Sequence, residues 1–383
     1  MAIFDLSFGI DFRENQLILT LLKKSFRKIR LVDYGVYPIL PESQKEEREN
    51  QMIGLINSFL SQHQIDKEKI SISIPREKVV SRFIHLPLST KENLRKVLEY
   101  EAPKYTPFEK EEVYLDYHLL KEDKESLHLF AVFVKKEAVD PYLSLLKRVG
   151  IQPISIQIPS ISAINLFFYN QGPQKDELSV LLDVTEPFFE MNLIQGKEWK
   201  ESFHLSLPPA GKESKIIETF RRSGVPEDSF SKSTFFIYGL DAAEKLLPSL
   251  REANLIKGVS LPPLNHIETG GVSRPDKIFS SVGLPLKGLI KTEVDLNLLP
   301  SDMRKRARQI GKPLFVTLTT LAFLLIWTWG AGFFIRYRNE LGALTTEIKK
   351  RRPEVEAVEK IQKQKEMLGN EILDLRFGGF VFK

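Results

Sequence analysis

Between Pro313 and Ile335 the chain reads "PLFVTLTTLAFLLIWTWGAGFFI", twenty-three residues without a charge. As a helix this stretch is about 34 Å long, close to the roughly 30 Å hydrocarbon core of a bilayer. A helix buried in a soluble core is rarely apolar all round over that length, and Trp327 and Trp329 add rings that favour a membrane interface. The segment is therefore read as a membrane span, which divides everything else into two sides. It is not a cleaved leader, because it lies far from Met1 and the Met1 end lacks a basic-then-apolar pattern.

Arg304, Lys305, Arg306, Arg308 and Lys312 precede the span. Arg336 and Arg338 follow it, with a further basic run from Lys349 to Arg352. The excess on the N-terminal side places residues 1–312 in the cytoplasm and, for a bacterium with two membranes, the remainder in the periplasm. The net charge of +5 is small, and the basic residues near the span account for all of it. Without a basic and aromatic stripe elsewhere, a nucleic-acid function is not indicated. The chain has no cysteine, which removes disulfides, thiol chemistry and thiolate-bound zinc.

Residues 1–290 alternate strand-like and helix-like patterns. "AIFDLSFGID", "QLILTLLKK" and "KIRLVDYGVY" read as strands, "SQKEERENQMIGLINSFLSQH" as a helix and "KISISIP" as a further strand. A second copy of this unit runs through "ELSVLLDV", "FFEMNLIQGKEWKESFHLSL", the helix "GKESKIIETFRRSG" and "STFFIYGL". Two such units predict a two-lobed α/β domain with ligand space between the lobes. Between them residues 76–135 form an insertion. In it "STKENLRKVLEYEAPKY" predicts a helix capped by Ser89 with Glu92 three residues on, followed by two strands.

The stretch "VSRFIHLPLSTKENLRKVLEYEAPKYTPFEKEEVYLDYHLL" carries a resemblance. It is similar to type IV pilus assembly protein PilM, whose members read like "EAxxYIPFxxxEVxLDYxVL" at Glu101 to Tyr117. "LVDYGVYPILP", "FAVFVKKEAVDPYLSLLKRVGIQPISIQIPSISAINLF" and "VGLPLKGL" extend it over residues 1–290. The resemblance implies an actin-like, RNase H-like fold of the FtsA type on the cytoplasmic side of the inner membrane. Residues 294–370 look like the N-terminal half of PilN: a short peptide reading like "INLLP", basic residues, one span and a coiled segment. By that resemblance Leu296, Asn297, Leu298, Leu299 and Pro300 form a docking peptide for a groove on the globule, so that one chain carries both receptor and ligand.

Physical chemistry agrees with docking. The leucines offer apolar anchors, Asn297 offers hydrogen bonds, and Pro300 favours an extended residue before it. The plainer reading is a linker whose leucines cover the globule's own surface. From Gly288 to Asn297 the chain spans at most about 30 Å, so a groove farther away would have to belong to a neighbouring copy.

The nucleotide loops implied by an actin-like fold are degraded. Where the family reads like "GIDIGSSSVK", this chain has "GIDFRENQLI", keeping Asp11 but placing Arg13 in the small polar turn. Where it reads like "VDIGASSTTL", "LDVTEPFFEM" keeps Asp183 and adds Glu186 and Pro187. The adenosine loop is reduced to Gly239 in "YGLDA". ATP turnover is therefore disfavoured, and Asp11 and Asp183 are expected to cap turns, although Arg13 leaves room for an anion. Neither a zinc motif nor a nucleophile elbow nor a Walker loop occurs, so neither a catalytic residue nor a metal ligand is assigned.

Beyond the span, Leu341, Leu344, Ile348, Val355 and Val358 recur at three, four and seven, which predicts a short coiled coil interrupted at Pro353. Residues 336–383 are too few for the ferredoxin-like domain usual in PilN-like chains, which suggests truncation. The expected function is a non-catalytic inner-membrane scaffold of a type IV pilus machine. Its expected partners are further copies of itself, a PilO-like protein, and a cytoplasmic assembly ATPase or platform protein. Alternatives are a GspL-like subunit of type II secretion, which has the same one-chain layout, and an ATP-binding actin-like polymer.

Overall fold

The computed structural model describes residues 4–26, 28–65, 67–171, 177–226, 229, 232–240, 246, 248–250, 258–304 and 311–378. The chain forms two compact units, Met1–Lys305 and Arg306–Lys383.

The first unit begins with three antiparallel strands, β1 (Phe4–Phe12), β2 (Gln16–Ser25) and β3 (Lys28–Pro38). Helix α1 (Lys45–His63) then returns the chain to β4 (Ile70–Ser73), which pairs in parallel with β1. The apolar run of β2, buried from Leu17 to Leu22, is that of a strand covered on both faces. An inserted antiparallel sheet follows. It contains β5 (Val79–Pro87), the short helices α2 (Leu94–Tyr100) and α3 (Ala102–Tyr105), β6 (Val113–Glu122) and β7 (Ser126–Lys135), in the order β5–β7–β6. Helix α4 (Lys136–Arg148) leads to β8 (Ser155–Gln157), parallel to β4, and on to α5 (Pro159–Gln171).

The second lobe repeats the plan with β9 (Leu178–Thr185), β10 (Phe188–Gln195), β11 (Glu198–Ser206), α6 (Lys212–Arg221), β12 (Thr234–Tyr238) and β13 (Gly258–Ser260). Its order, β11–β10–β9–β12–β13, is that of β3–β2–β1–β4–β8 in the first lobe, where β14 (Ile267–Glu268) adds an outer strand beside β3. In both lobes the first strand lies between an antiparallel hairpin partner and a parallel one. The ends of β1 and β9 thus become equivalent turns. Helix α7 (Phe279–Gly283) closes the unit against α5.

Two expectations on local structure change. Ser89 does not cap a helix: residues 88–93 form a tighter 3₁₀ turn, with Thr90 Oγ1 donating to the Pro87 carbonyl at 2.7 Å, and α2 starts at Leu94. Pro103 cannot donate to extend α2, and instead sits in the first turn of α3. Nor does Pro353 interrupt the C-terminal helix α8, which runs from Gly311 to Gly378. Proline removes one hydrogen bond there. Ion pairs between Arg351 and Glu347 and between Arg352 and Glu356 support the turns on either side.

Candidate functional site

Strand β8 lies at the edge of the six-stranded sheet, so its outer backbone groups need partners. The segment following α7 supplies them. The Asn297 side chain donates through Nδ2 to the Ile154 carbonyl at 3.0 Å and accepts from the Ile156 N–H at 2.9 Å. The Leu298 N–H then donates to the Ile156 carbonyl at 2.9 Å. A side-chain amide carries the donor and the acceptor of a peptide unit, which is why Asn297 can pair with a strand edge as backbone would.

The inserted sheet holds the other side. Asp116 Oδ2, on β6, accepts the Asn297 N–H at 2.7 Å, and His118 Nδ1 accepts the Asp295 N–H at 3.2 Å. Upstream, Asn165 of α5 brackets Val294 with bonds of 2.8 and 3.0 Å. Downstream, Arg304 donates through Nε to the Leu299 carbonyl at 2.8 Å and also to the Asn297 carbonyl, while pairing with Asp116 at 3.3 Å. Leu296, Leu298 and Leu299 are each 1% exposed. At about 1.5–3 kcal/mol for each buried leucine, the segment is held by its apolar anchors and aligned by its hydrogen bonds. The groove lies within reach of the segment's own chain. Pro300 accepts from the Met303 and Arg304 N–H groups and turns the chain out of the groove.

Arg13, Asp11 and Asp183 meet at the turns that end β1 and β9. Arg13 donates through Nε to Asp11 Oδ2 at 3.0 Å, from one terminal nitrogen to Thr185 Oγ1 at 3.1 Å and from the other to Ser280 Oγ at 2.7 Å. Asp183 Oδ2 lies 3.5 Å from the guanidinium, and Ser281 Oγ donates to Asp11 Oδ2 at 2.6 Å. Burial would pull the guanidinium pKa down, but Asp11 and Asp183 outweigh it and hold it above its ordinary value. Burial also lifts the Asp183 carboxyl, with Arg13 opposing. The two acids thus hold a cation, and Asp183 Oδ1 also accepts from Thr185 Oγ1 at 2.8 Å across the turn that ends β9.

Gly239 serves a different need. At φ 126° it follows β12, and a Cβ there would lie 2.2 Å from the Val184 carbonyl oxygen, so close approach to β9 requires glycine. Residues 241–242 of "YGLDA" lie outside the described residues.

A cavity of about 200 Å³ adjoins Arg13, lined by Glu14, Arg76, Glu77, Asp183, Glu186 and Glu190 among others. Carboxylates outnumber guanidiniums in it, which is unfavourable for polyphosphate. Among the described residues no group of three or more His, Cys, Asp or Glu is placed to hold a metal. A cross-strand pair that sequence spacing conceals, His85 and His128, brings its rings to 4.2 Å between centroids, with His128 3.0 Å from Asp123.

His204 lines the same cavity, and burial together with Arg76 lowers its pKa to about 4. Burial also lowers that of His118. Both are therefore neutral in the folded chain. Their contribution is fully present above the unfolded value of about 6.5 and is lost as pH falls below it toward the folded values. The thermal midpoint of the full chain in detergent is expected to fall between about pH 6.5 and 4, with a shallower fall in His204→Phe. Equal slopes would show that His204 does not titrate in that window.

In the second unit, α8 is the one helix among the described residues that is long and apolar enough to cross a membrane. Lys305, Arg306 and Arg308 of the basic run lie outside the described residues.

Residues 9–199 match the family model for Type IV pilus assembly protein PilM. Among solved structures, the chain is similar to one from a PilM–PilN type IV pilus biogenesis complex, with 16% identity and a TM-score of 0.61 over 74% of this chain and 99% of that one. It is also similar, at 10% identity and a TM-score of 0.44, to the cytoplasmic domain of EpsL, an inner-membrane component of the type II secretion system of Vibrio cholerae, over 78% of this chain and 100% of that one. The same values hold for a Bacteroides thetaiotaomicron protein of actin-like ATPase fold, over 72% and 95%. None of the curated proteins matches. With the duplicated strand order, the fold is the two-lobed actin-like α/β fold.

Proposed function

From a chain whose residues 9–199 are of the type IV pilus assembly protein PilM family, we propose an inner-membrane scaffold that combines a PilM-like globule with the N-terminal half of a PilN-like protein. Residues 1–312 lie in the cytoplasm, residues 313–335 cross the membrane, and the rest reaches the periplasm. The work is binding, with Leu296 to Pro300 as an internal docking peptide. The coil meets a PilO-like protein, the globule meets an assembly ATPase or platform protein, and further copies of the chain associate with it. The observation that carries this reading is the segment from Val294 to Arg304, seated between β8 and β6 and followed within a few residues by the apolar helix. A type II secretion role of the GspL kind is the second reading, favoured by the arrangement of globule and span in one chain.

The absence of cysteine makes orientation directly measurable. Ser144 and Lys349 are exposed, one in each unit. A membrane-impermeant maleimide is expected to label Lys349→Cys in intact spheroplasts and Ser144→Cys only after lysis. The reverse pattern would overturn the orientation. Labelling of both in intact cells would overturn the span.

A further inference from the structure

The Arg13 side chain leaves the turn after β1 and enters a chamber whose walls come from three separate parts of the fold. Asp11 belongs to β1, Thr185 and Asp183 to β9 of the second lobe, and Ser280 and Ser281 to α7. Each nitrogen of the guanidinium donates to a different one of these parts. Asp11, Asp183, Ser280 and Ser281 are at most 5% exposed and the Arg13 side chain is 14% exposed, so the chamber is nearly enclosed and adjoins the cavity on the Arg13 side. Two carboxylates facing one another at that depth repel unless a cation lies between them, while the hydroxyls add neutral partners: Ser281 donates to Asp11 and Ser280 accepts from Arg13. Asp11 keeps a buried Oδ1 without a hydrogen-bond partner, so this carboxylate depends on Arg13 and Ser281 at its other oxygen.

The shape of the ligand follows from the donors it needs. Nε points back along β1, while the terminal nitrogens diverge toward β9 and α7, a planar fork that an ammonium cannot reproduce. A phosphate group would instead meet Asp11, Asp183 and the outer acids Glu14, Glu77 and Glu186. We infer that the chamber between the two lobes is a guanidinium site which the chain fills with its own Arg13, so that the lobes are held closed without a nucleotide. Arg13 is thus an internal ligand that ties β1, β9 and α7 together.

The test uses the full chain in detergent, with amide hydrogen exchange across residues 11–16, 183–187 and 279–283 as the readout. Arg13→Ala is expected to speed exchange in all three segments by about tenfold or more, since it leaves facing carboxylates uncompensated. Methylguanidinium at low millimolar concentration is expected to restore protection in that variant, whereas methylammonium at the same strength is not. Arg13→Lys restores protection only in part. Should Arg13→Ala fail to fold, the milder pair Thr185→Val and Ser280→Ala removes only the neutral acceptors and is expected to speed exchange in the same segments. The inference is overturned if exchange is unchanged in whichever variant folds, or if methylammonium rescues as well as methylguanidinium. Saturable binding of magnesium–ATP by the unaltered chain would overturn it too.

Discussion

Leu298→Ala is expected to lower the stability of the first unit by about 2–5 kcal/mol, and Asn297→Ala by a comparable amount for a different reason. Leu298 is 1% exposed within the main core, so its truncation leaves a cavity where the groove had been filled. Asn297→Ala removes little apolar area. It leaves the Ile154 carbonyl and the Ile156 N–H without partners at the sheet edge, at about 1–3 kcal/mol for each buried group left unmatched. Asn297→Asp keeps the shape but loses the donor and adds a charge beside Asp116, so it is expected to be no better than alanine. Denaturant titration of the full chain, followed by limited proteolysis near Asp295, distinguishes local release from global unfolding. The double change Leu298→Asp and Leu299→Asp is expected to empty the groove and let it capture a labelled peptide of sequence DLNLLPSDMRKR, which the unaltered chain ignores. If all variants keep wild-type stability and none binds the peptide, the segment is a covering linker and not a ligand.

Gly283→Ala is expected to be strongly destabilising for the addition of a single methyl group. A Cβ at Gly283 would lie 2.1 Å from the Ser162 carbonyl oxygen and 2.7 Å from its carbon, both rigid backbone of α5. Side chains cannot rotate away from such a contact, so α7 must shift, at a cost of about 1–3 kcal/mol or more. Because α7 also carries Ser280 and Ser281, the shift is expected to loosen the Arg13 contacts as well, seen as faster exchange at residues 11–16 alongside a lower midpoint. Gly54 is the control. It lies on the outer part of α1 with open space around its Cβ position, and Gly54→Ala is expected to be neutral or stabilising by about 1 kcal/mol.

The parts of this molecule that can be read from sequence are those written in periodicity. The uncharged run from Pro313 to Ile335, the continuous apolar run in "QLILTLLKK" and the helical spacing of residues 45–63 are each local signals, and each yields an element of matching type. Local termini are less legible: Ser89 has the right neighbours for a cap, yet Pro87 and Pro103 govern the backbone around it. The site is least legible where partners are remote. Arg13 and Thr185 are 172 positions apart and Asn297 and Ile154 are 143, and no spacing rule connects them. What sequence does show is the substitution of small residues by Arg13, Glu14 and Pro187. It marks the turns as altered without saying that the new arginine would satisfy the retained aspartates.

The seating of residues 294–304 in their own groove also sets a matter of dosage. A receptor and ligand made as two proteins can be out of balance, and a cell can regulate their meeting by making more of one. On the proposed reading both are translated as a single polypeptide, so their ratio is one to one. A tether this short gives the segment an effective concentration in the millimolar range. A competing peptide of equal affinity, present at micromolar levels, would occupy about one groove in a thousand.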